Sequence, residues 1–319
     1  MKSKKSIKKT LLLGMIGLAV PISILFGMAN AAILYSDSNN NMNARISESV
    51  TAYNHSVQNA IEIYKTGIEA IAANSEITDS KLTKEQRQAK LNELAKKYGF
   101  ATLATVDANG QTSDGVNASQ KDYFKQAING NTYISSTRIS AVTKKTILMV
   151  SAKINNGGYV GIVNATLSSD TFSKMIRDVS IGQAGYGFII DKDGKVIAHK
   201  DQSAVTGFTN YVDKAKKDSS YSSIASTIEN MKSGKTGTQT CTLNGENLTI
   251  GYTKIPDTDG WSIGVVAKTS EMLNDFYESI YITIGLAALF IILSFLVAFK
   301  IAKPIVNPII DLAHRIEKL

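Results

Sequence analysis

The sequence predicts an α+β protein: a long N-terminal helix and two tandem antiparallel-sheet modules, flanked by two membrane-spanning helices. Three observations carry this expectation. Apolar runs at Leu11–Leu34 and Ile280–Phe299 bracket 245 residues that hold no comparable run. One apolar stripe at spacings of three and four runs through Ser36–Ala73. The rest alternates between short strand and turn signals in a pattern that starts twice.

Each apolar run is long enough to cross a bilayer as a helix, which takes about 20 residues. The first follows Lys2, Lys4, Lys5, Lys8 and Lys9 with no acid among them, and the second precedes Lys300 and Lys303. Basic flanks stay on the cytoplasmic side. Residues 1–10 and 300–319 are therefore expected inside, 11–34 and 280–299 in the membrane, and 35–277 displayed outside. The basic start, the apolar stretch and Ala29-Asn30-Ala31 together also fit a secretory signal with its cleavage site. The length of the stretch and the presence of a second span favour a retained anchor.

The charge distribution narrows the function classes. Of the net +8, five units lie in residues 1–34 and one in residues 278–319, leaving +2 for everything between. The basic character therefore belongs to the membrane flanks, and no basic run with interleaved aromatics points to nucleic acid. Cys241 is the single cysteine, so no intrachain disulfide is available; its place in the strand Thr238–Leu243 reads as a small buried hydrophobe. About 245 residues without disulfides are enough for two cores of their own.

The elements follow in order. In Ser36–Ala73 the stripe is Ile46, Val50, Tyr53, Val57, Ile61, Tyr64, Ile68 and Ile71, one face of a helix that continues the first span. Its role is packing on its own domain, with the part nearest the membrane a candidate dimer surface. Ser80–Tyr98 is a charged helix. Phe100–Val106 alternates into the turn Asp107-Ala-Asn-Gly110, Ala118–Asn129 is a short helix, and Thr132–Ser136, Thr146–Ile154 and Tyr159–Leu167 are strands. Asn155–Gly158 turns between the last two, and Ser168–Val179 is helical. Gly182–Gly187 precedes a strand, opens no helix, and reads as a linker rather than a phosphate loop. Tyr186–Asp191 and Lys195–His199 flank a second Asp-x-x-Gly turn. The helix Ser219–Lys232, the hairpin Thr236–Leu243 with Asn247–Lys254 through Asn244-Gly245, the strand Trp261–Lys268 and the connecting helix Ser270–Tyr277 complete the chain before the second span.

An internal repeat emerges. Phe100 to Asp107-x-x-Gly110 corresponds to Gly185 to Asp191-x-x-Gly194, and Tyr159-Val-Gly-Ile-Val163 to Ser262-Ile-Gly-Val-Val266. Each half is expected to open with strand, turn and strand and to close with a glycine-bearing strand followed by a helix.

No catalytic set or metal cluster stands out. His55, His199 and His314 lie on separate elements, and the Asp-x-x-Gly turns do not extend into calcium loops. No enzyme activity and no cofactor are expected.

At this point the chain resembles the double Cache sensor of bacterial transmembrane receptors, most often methyl-accepting chemotaxis proteins. The segment Lys121-Asp-Tyr-Phe-Lys-Gln-Ala-Ile-Asn-Gly-Asn-Thr-Tyr-Ile-Ser135 resembles the stretch after that family's first hairpin. Tyr159-Val-Gly-Ile-Val-Asn-Ala-Thr-Leu167 resembles its closing strand. Ile301-Ala-Lys-Pro304-Ile-Val-Asn-Pro-Ile309 onward resembles the start of a HAMP helix. The resemblance implies two PAS-like Cache modules, membrane-distal at about 80–180 and membrane-proximal at about 181–270, with a small extracellular ligand bound in the distal one.

In amino-acid-sensing members an Arg and an aromatic pair hold the ligand carboxylate, and an Asp holds its ammonium. Here those positions carry Lys121, Tyr123 with Phe124, and Thr166; Asn164 shares the strand face, and Arg138 lies on the segment that lines the pocket in relatives. Lys121 and Arg138 remain able to bind an anionic oxygen. With Thr166 in place of the acid, a carboxylate or other small polar ligand is expected over an ordinary α-amino acid. The alternative for these residues is plain packing and solvation, as it is for Tyr186, His199, Tyr252 and Trp261 in the proximal module.

The resemblance further implies a homodimer, and a signal that passes through the second span and HAMP to cytoplasmic signalling proteins by way of an output region beyond Leu319. Chemotaxis is the expected output. A histidine kinase, a diguanylate cyclase, or a membrane-tethered binding module without output are the alternatives.

Overall fold

The structure, a computed structural model, describes residues 4–316 apart from 113–114, 155–157 and 180. The first three residues of the expected turn Asn155–Gly158, Lys2 and the last three residues of the HAMP segment lie outside the described residues. The chain divides into a compact unit of residues 43–271 and a second unit formed by the residues on either side of it.

Helix α1 is Lys4–Ala72, one uninterrupted helix through the first apolar run and the stripe beyond. Within the compact unit the predicted stripe faces inward: Ile46, Val50, Val57, Ile61, Ile68 and Ile71 are buried, and Tyr53 and Tyr64 are half-buried. Gly251 makes the contact close, because a Cβ there would lie 2.4 Å from Ile46 Cγ2 and 2.9 Å from Val50 Cγ2. A short α2, Ser75–Thr78, leads to α3, Lys84–Tyr98. The charged helix starts four residues later than its composition suggested because Thr83 caps it. Gln86 N donates to Thr83 Oγ1 (3.2 Å) while Thr83 N donates to Gln86 Oε1 (3.0 Å). Gly99 ends it in the left-handed conformation, φ 75°.

The first module holds β1 (Thr102–Asp107), α4 (Asp122–Ile128), β2 (Tyr133–Ile134), β3 (Arg138–Ile139), β4 (Thr146–Ile154), β5 (Gly161–Ser168) and α5 (Thr171–Arg177). Its sheet runs β1-β5-β4-β2, with β3 also paired to β4. The second module holds β6 (Tyr186–Ile190), β7 (Val196–His199), α6 (Gln202–Thr206), α7 (Tyr211–Ala215), α8 (Ser222–Lys232), β8 (Gly237–Leu243), β9 (Glu246–Lys254) and β10 (Ser262–Lys268). Its sheet runs β7-β6-β10-β9-β8, and both sheets are antiparallel throughout. The first and last long strands pair with each other in both, β1 with β5 and β6 with β10, so the repeat is real at the level of topology.

Two details differ from the expected repeat. The strand after Asp107-x-x-Gly110 shrinks to isolated bridges, Val106 with Thr112 and Gln111 with Asn117, so the first sheet lacks the counterpart of β7. The two turns themselves match. Asp107 Oδ1 accepts from Asn109 N and Gln111 N (both 2.9 Å), as Asp191 Oδ1 accepts from Asp193 N (3.0 Å) and Lys195 N (2.9 Å). With those aspartates equated, register places Asn164, not Gly161, opposite the position equivalent to Phe188, where Gly264 sits. The glycine match read from sequence is therefore three residues out. An odd slip exchanges the two faces of a strand.

The short α9 (Thr269–Met272) ends the compact unit, and the other unit holds α10, Asn274–Ile316, which continues through Pro304 and Pro308. Tyr35 meets Phe276 edge-on at 5.5 Å, and Asn30 Nδ2 donates to Thr283 Oγ1 at 3.3 Å. α1 and α10 are each long and apolar enough to cross a membrane. Both turn large apolar side chains outward, among them Leu18, Phe26, Ile282 and Phe290.

Candidate ligand face of the first module

Residues directly opposite each other in antiparallel strands share a face. Asn164 on β5 lies opposite Ala104 and Ser151, and Thr166 lies opposite Thr102 and Met149. Tyr133 on β2 is opposite Ser151, and Arg138 on β3 is opposite Ile147, two residues before Met149. One face of the first sheet thus gathers Tyr133, Arg138, Met149, Ser151, Asn164 and Thr166. The helix α4 covers part of it: Tyr123, Phe124 and Ala127 form a buried cluster with Val106 and Ile162, against which Tyr133 and Met149 pack.

The predicted residues fall into three environments. Tyr123 and Phe124 are buried under α4, and Lys121 stands exposed at its N-cap with no capping bond from its side chain. Asn164 is buried, its Oδ1 accepting from Ser151 Oγ at 2.8 Å, and Thr166 is half-buried on the same strand face. Arg138 is half-buried, its guanidinium carbon 5.0 Å from the centre of the Tyr123 ring and Nη1 3.9 Å from Met149 Sδ. Among the described residues no carboxylate pairs with Arg138. The structure thus brings five of the six predicted residues to the α4 side of one sheet and leaves Lys121 at its rim.

The electrostatics follow from the residue types. The strand positions of this face supply a guanidinium, hydroxyls and a carboxamide, and no acid. Tyr133 is held firmly protonated: burial raises its pKa most, and the hydrogen bond from its hydroxyl to Asp259 adds to that. Sequence reasoning missed Tyr133, Met149 and Ser151. Alternation along Thr146–Ile154 would have put Met149 and Ser151 on one face, but the pairing partner that makes it the Asn164 face is a long-range fact.

The second module closes the equivalent face. Phe188, Ile190, Met231, Cys241, Ile250 and Tyr252 fill it as part of one buried cluster under α6 and α8. A groove of about 640 Å³ lies elsewhere, lined by Tyr64, Lys96, Phe100, Asp170, Lys174 and Met175, and none of the predicted site residues borders it.

Two antiparallel sheets of this order follow one long helix, and the first keeps a polar face under a short helix. The Cache domain profile (dCache_1) matches residues 30–276, and the chain belongs to the Cache domain family. It is similar to the methyl-accepting chemotaxis protein McpA of Bacillus subtilis, with 26% identity over 223 residues, 64% of this chain and 32% of that protein. It is also similar to TlpA of Bacillus subtilis, with 29% identity over 107 residues, 33% of this chain and 16% of that protein. The matched part thus spans about a third or less of the length of these relatives. Among solved structures, the ligand-binding domain of the Pseudomonas fluorescens chemoreceptor CtaA in complex with L-serine superposes with a TM-score of 0.57 at 20% identity, over 73% of this chain and 99% of that one. The Pseudomonas aeruginosa PctB domain in complex with L-Arg gives 0.56 at 18% identity, over 72% and 97%. At these identities the likeness is one of fold.

Proposed function

We propose that this chain is the sensor part of a transmembrane chemoreceptor that binds a small carboxylate on the α4 face of its first, membrane-distal module. The observation that carries the reading is Arg138: a half-buried guanidinium stacked on Tyr123, without a carboxylate partner among the described residues, beside a strip of neutral hydrogen-bonding groups. Lys121 supplies a second positive charge at the rim, Tyr123 and Phe124 an apolar wall, and Asn164 and Thr166 hydrogen bonds. The absence of an acid at Thr166 leaves a ligand ammonium without a counter-charge. The relatives solved with L-serine and L-Arg support the competing reading, an α-amino acid.

The two apolar helices and the lysines at their outer ends support a receptor with residues 35–277 outside, divided at about residue 180, and both ends inside. In this reading it acts as a homodimer. Ligand shifts the balance of two receptor states by its differential affinity for them, and α10 carries that shift to a HAMP segment from about residue 300 and on to cytoplasmic signalling proteins.

The test is thermal unfolding of the full chain in detergent with acetate, pyruvate, L-malate, succinate and the common amino acids. A ligand at 100 times its Kd adds about 2.7 kcal/mol, readily seen as a higher Tm. A carboxylate hit that Arg138→Ala abolishes supports the reading. An amino-acid hit of equal strength overturns the carboxylate preference, and a hit indifferent to both Arg138→Ala and Lys121→Ala overturns the placement.

A further inference from the structure

Turns of the second module grip the ligand face of the first. Tyr133, opposite Ser151 on that face, donates its hydroxyl to Asp259 Oδ2 at 2.9 Å. Asp259 lies in the β9–β10 turn, and Lys192 Nζ of the β6–β7 turn is 2.6 Å from the same oxygen. Three residues after Tyr133, Ser136 Oγ donates to the buried Asp191, whose other oxygen already anchors the β6–β7 turn.

The β9–β10 turn is built to transmit rather than absorb movement. Ile255 N donates to Trp261 O (2.9 Å), Thr258 Oγ1 to Ile255 O (2.7 Å), and Trp261 N to Thr258 Oγ1 (3.1 Å). Gly260 is left-handed at φ 72°, and a Cβ there would lie 3.0 Å from Lys192 Cβ, so the two turns are in close contact. Helix α1 holds the same turn from another side: Lys65 Nζ donates to Asp257 O, and Asn54 Nδ2 donates to Lys254 O at 3.3 Å.

We propose that Asp259 is a positioning residue for the ligand face, and that the Tyr133–Asp259 bond is the joint through which that face is coupled to the second module and to α1. Tyr133 is half-buried, and a hydroxyl shielded from water and deprived of its acceptor is costly, so its ring is held where Asp259 puts it. A carboxylate acceptor makes the bond stronger than a neutral one. Coupling between sites is reciprocal, so whatever moves Tyr133 also moves the turn, and the state of the turn is felt at the face. That a ligand is what moves Tyr133 rests on the function proposed above; the joint itself does not.

The experiment needs no ligand. Hydrogen–deuterium exchange is measured on the full chain in lipid nanodiscs for the parent, Asp259→Ala, Tyr133→Phe and the double variant. Asp259→Ala is expected to raise exchange at residues 133–135 and 149–151 of the first module about tenfold. Tyr133→Phe is expected to do the same at residues 255–261 of the second, and the double variant to exceed neither single effect. The Asp259 side chain makes none of the bonds that close its turn, and Tyr133→Phe keeps the ring, so both variants retain the fold. Effects confined to the module that carries the change, or a double variant equal to the product of the singles, would overturn the proposal. A ligand screen without a hit would count against the function above and leave this result standing.

Discussion

Phe188 and Gly264 face each other across β6 and β10, and the phenyl ring occupies the space over the glycine: a Cβ on Gly264 would lie 2.4 Å from Phe188 Cε1. The first sheet pairs Ala104 with Asn164 at the equivalent register. A large ring over a glycine fills one module, while an alanine beside a buried carboxamide leaves the other with a polar face. This contrast supports the proposal that a ligand binds on the first module rather than the second.

Gly264→Ala is therefore expected to destabilise the second module by about 1–3 kcal/mol through overpacking. Phe188→Ala is expected to cost about 3–5 kcal/mol through the cavity it leaves. Denaturant unfolding measures both; a neutral Gly264→Ala would mean that the ring moves aside freely.

Thr166→Asp places an acid on the proposed ligand face, directly opposite Met149 of β4, whose sulfur meets the Arg138 guanidinium. The expected outcome is about tenfold weaker carboxylate binding, equivalent to about 1.4 kcal/mol, together with new or stronger binding of α-amino acids. Isothermal titration of the parent and variant with the same ligands checks it. Unchanged preference would remove Thr166 from the site.

Gly251→Ala tests how α1 packs on the second sheet. Its new methyl group meets Ile46 and Val50, both on the buried stripe. A loss of about 1–3 kcal/mol is expected, measured as a lower denaturation midpoint. Ile46→Leu in the same chain should recover part of that loss, because leucine has no Cγ2 branch at the contact.

His199 gives the second module a pH dependence. Burial lowers its pKa, the Asp201 carboxylate pulls it partly back, and the imidazole packs against the Tyr186 ring at 4.9 Å. A histidine whose pKa is lower folded than unfolded favours the fold while neutral. Its contribution is full above about pH 6.5 and is lost as the pH falls through the lower, folded value. Melting temperature should therefore drop between pH 7 and pH 5, and His199→Gln should flatten that drop. An identical slope in the variant would assign it to other groups.

The Cys241 thiol is expected to be inert. It is buried in β8, and desolvation pushes its pKa up to about 11. Thiol reagents should leave it unmodified at neutral pH until the protein unfolds. Labelling of the folded chain followed by mass measurement checks this, and rapid modification would show local opening of β8.

Much of the architecture is legible in the sequence because it is written in local periodicity. The α1 stripe, the strand Thr146–Ile154, the Asn244-Gly245 hairpin and the paired Asp-x-x-Gly turns each depend on neighbours a few residues away. The candidate residues Tyr123, Phe124, Asn164 and Thr166 were found by resemblance along a single segment each. The two-residue strand β3 was not expected, because so few residues carry no period of their own; Arg138 is placed only by pairing with β4.

The sequence by itself determined the order of helices, strands and turns, the two apolar helices and the duplication, since each is a matter of local pattern. Only the tertiary structure decided which faces meet. It moved the glycine correspondence by three residues, placed Ser151 against Asn164, filled one module with Phe188, and set Asp259 of the second module on Tyr133 of the first. The reason is physical: strand register and the contacts between modules join residues far apart in the chain, and no local pattern records which partner a side chain will meet.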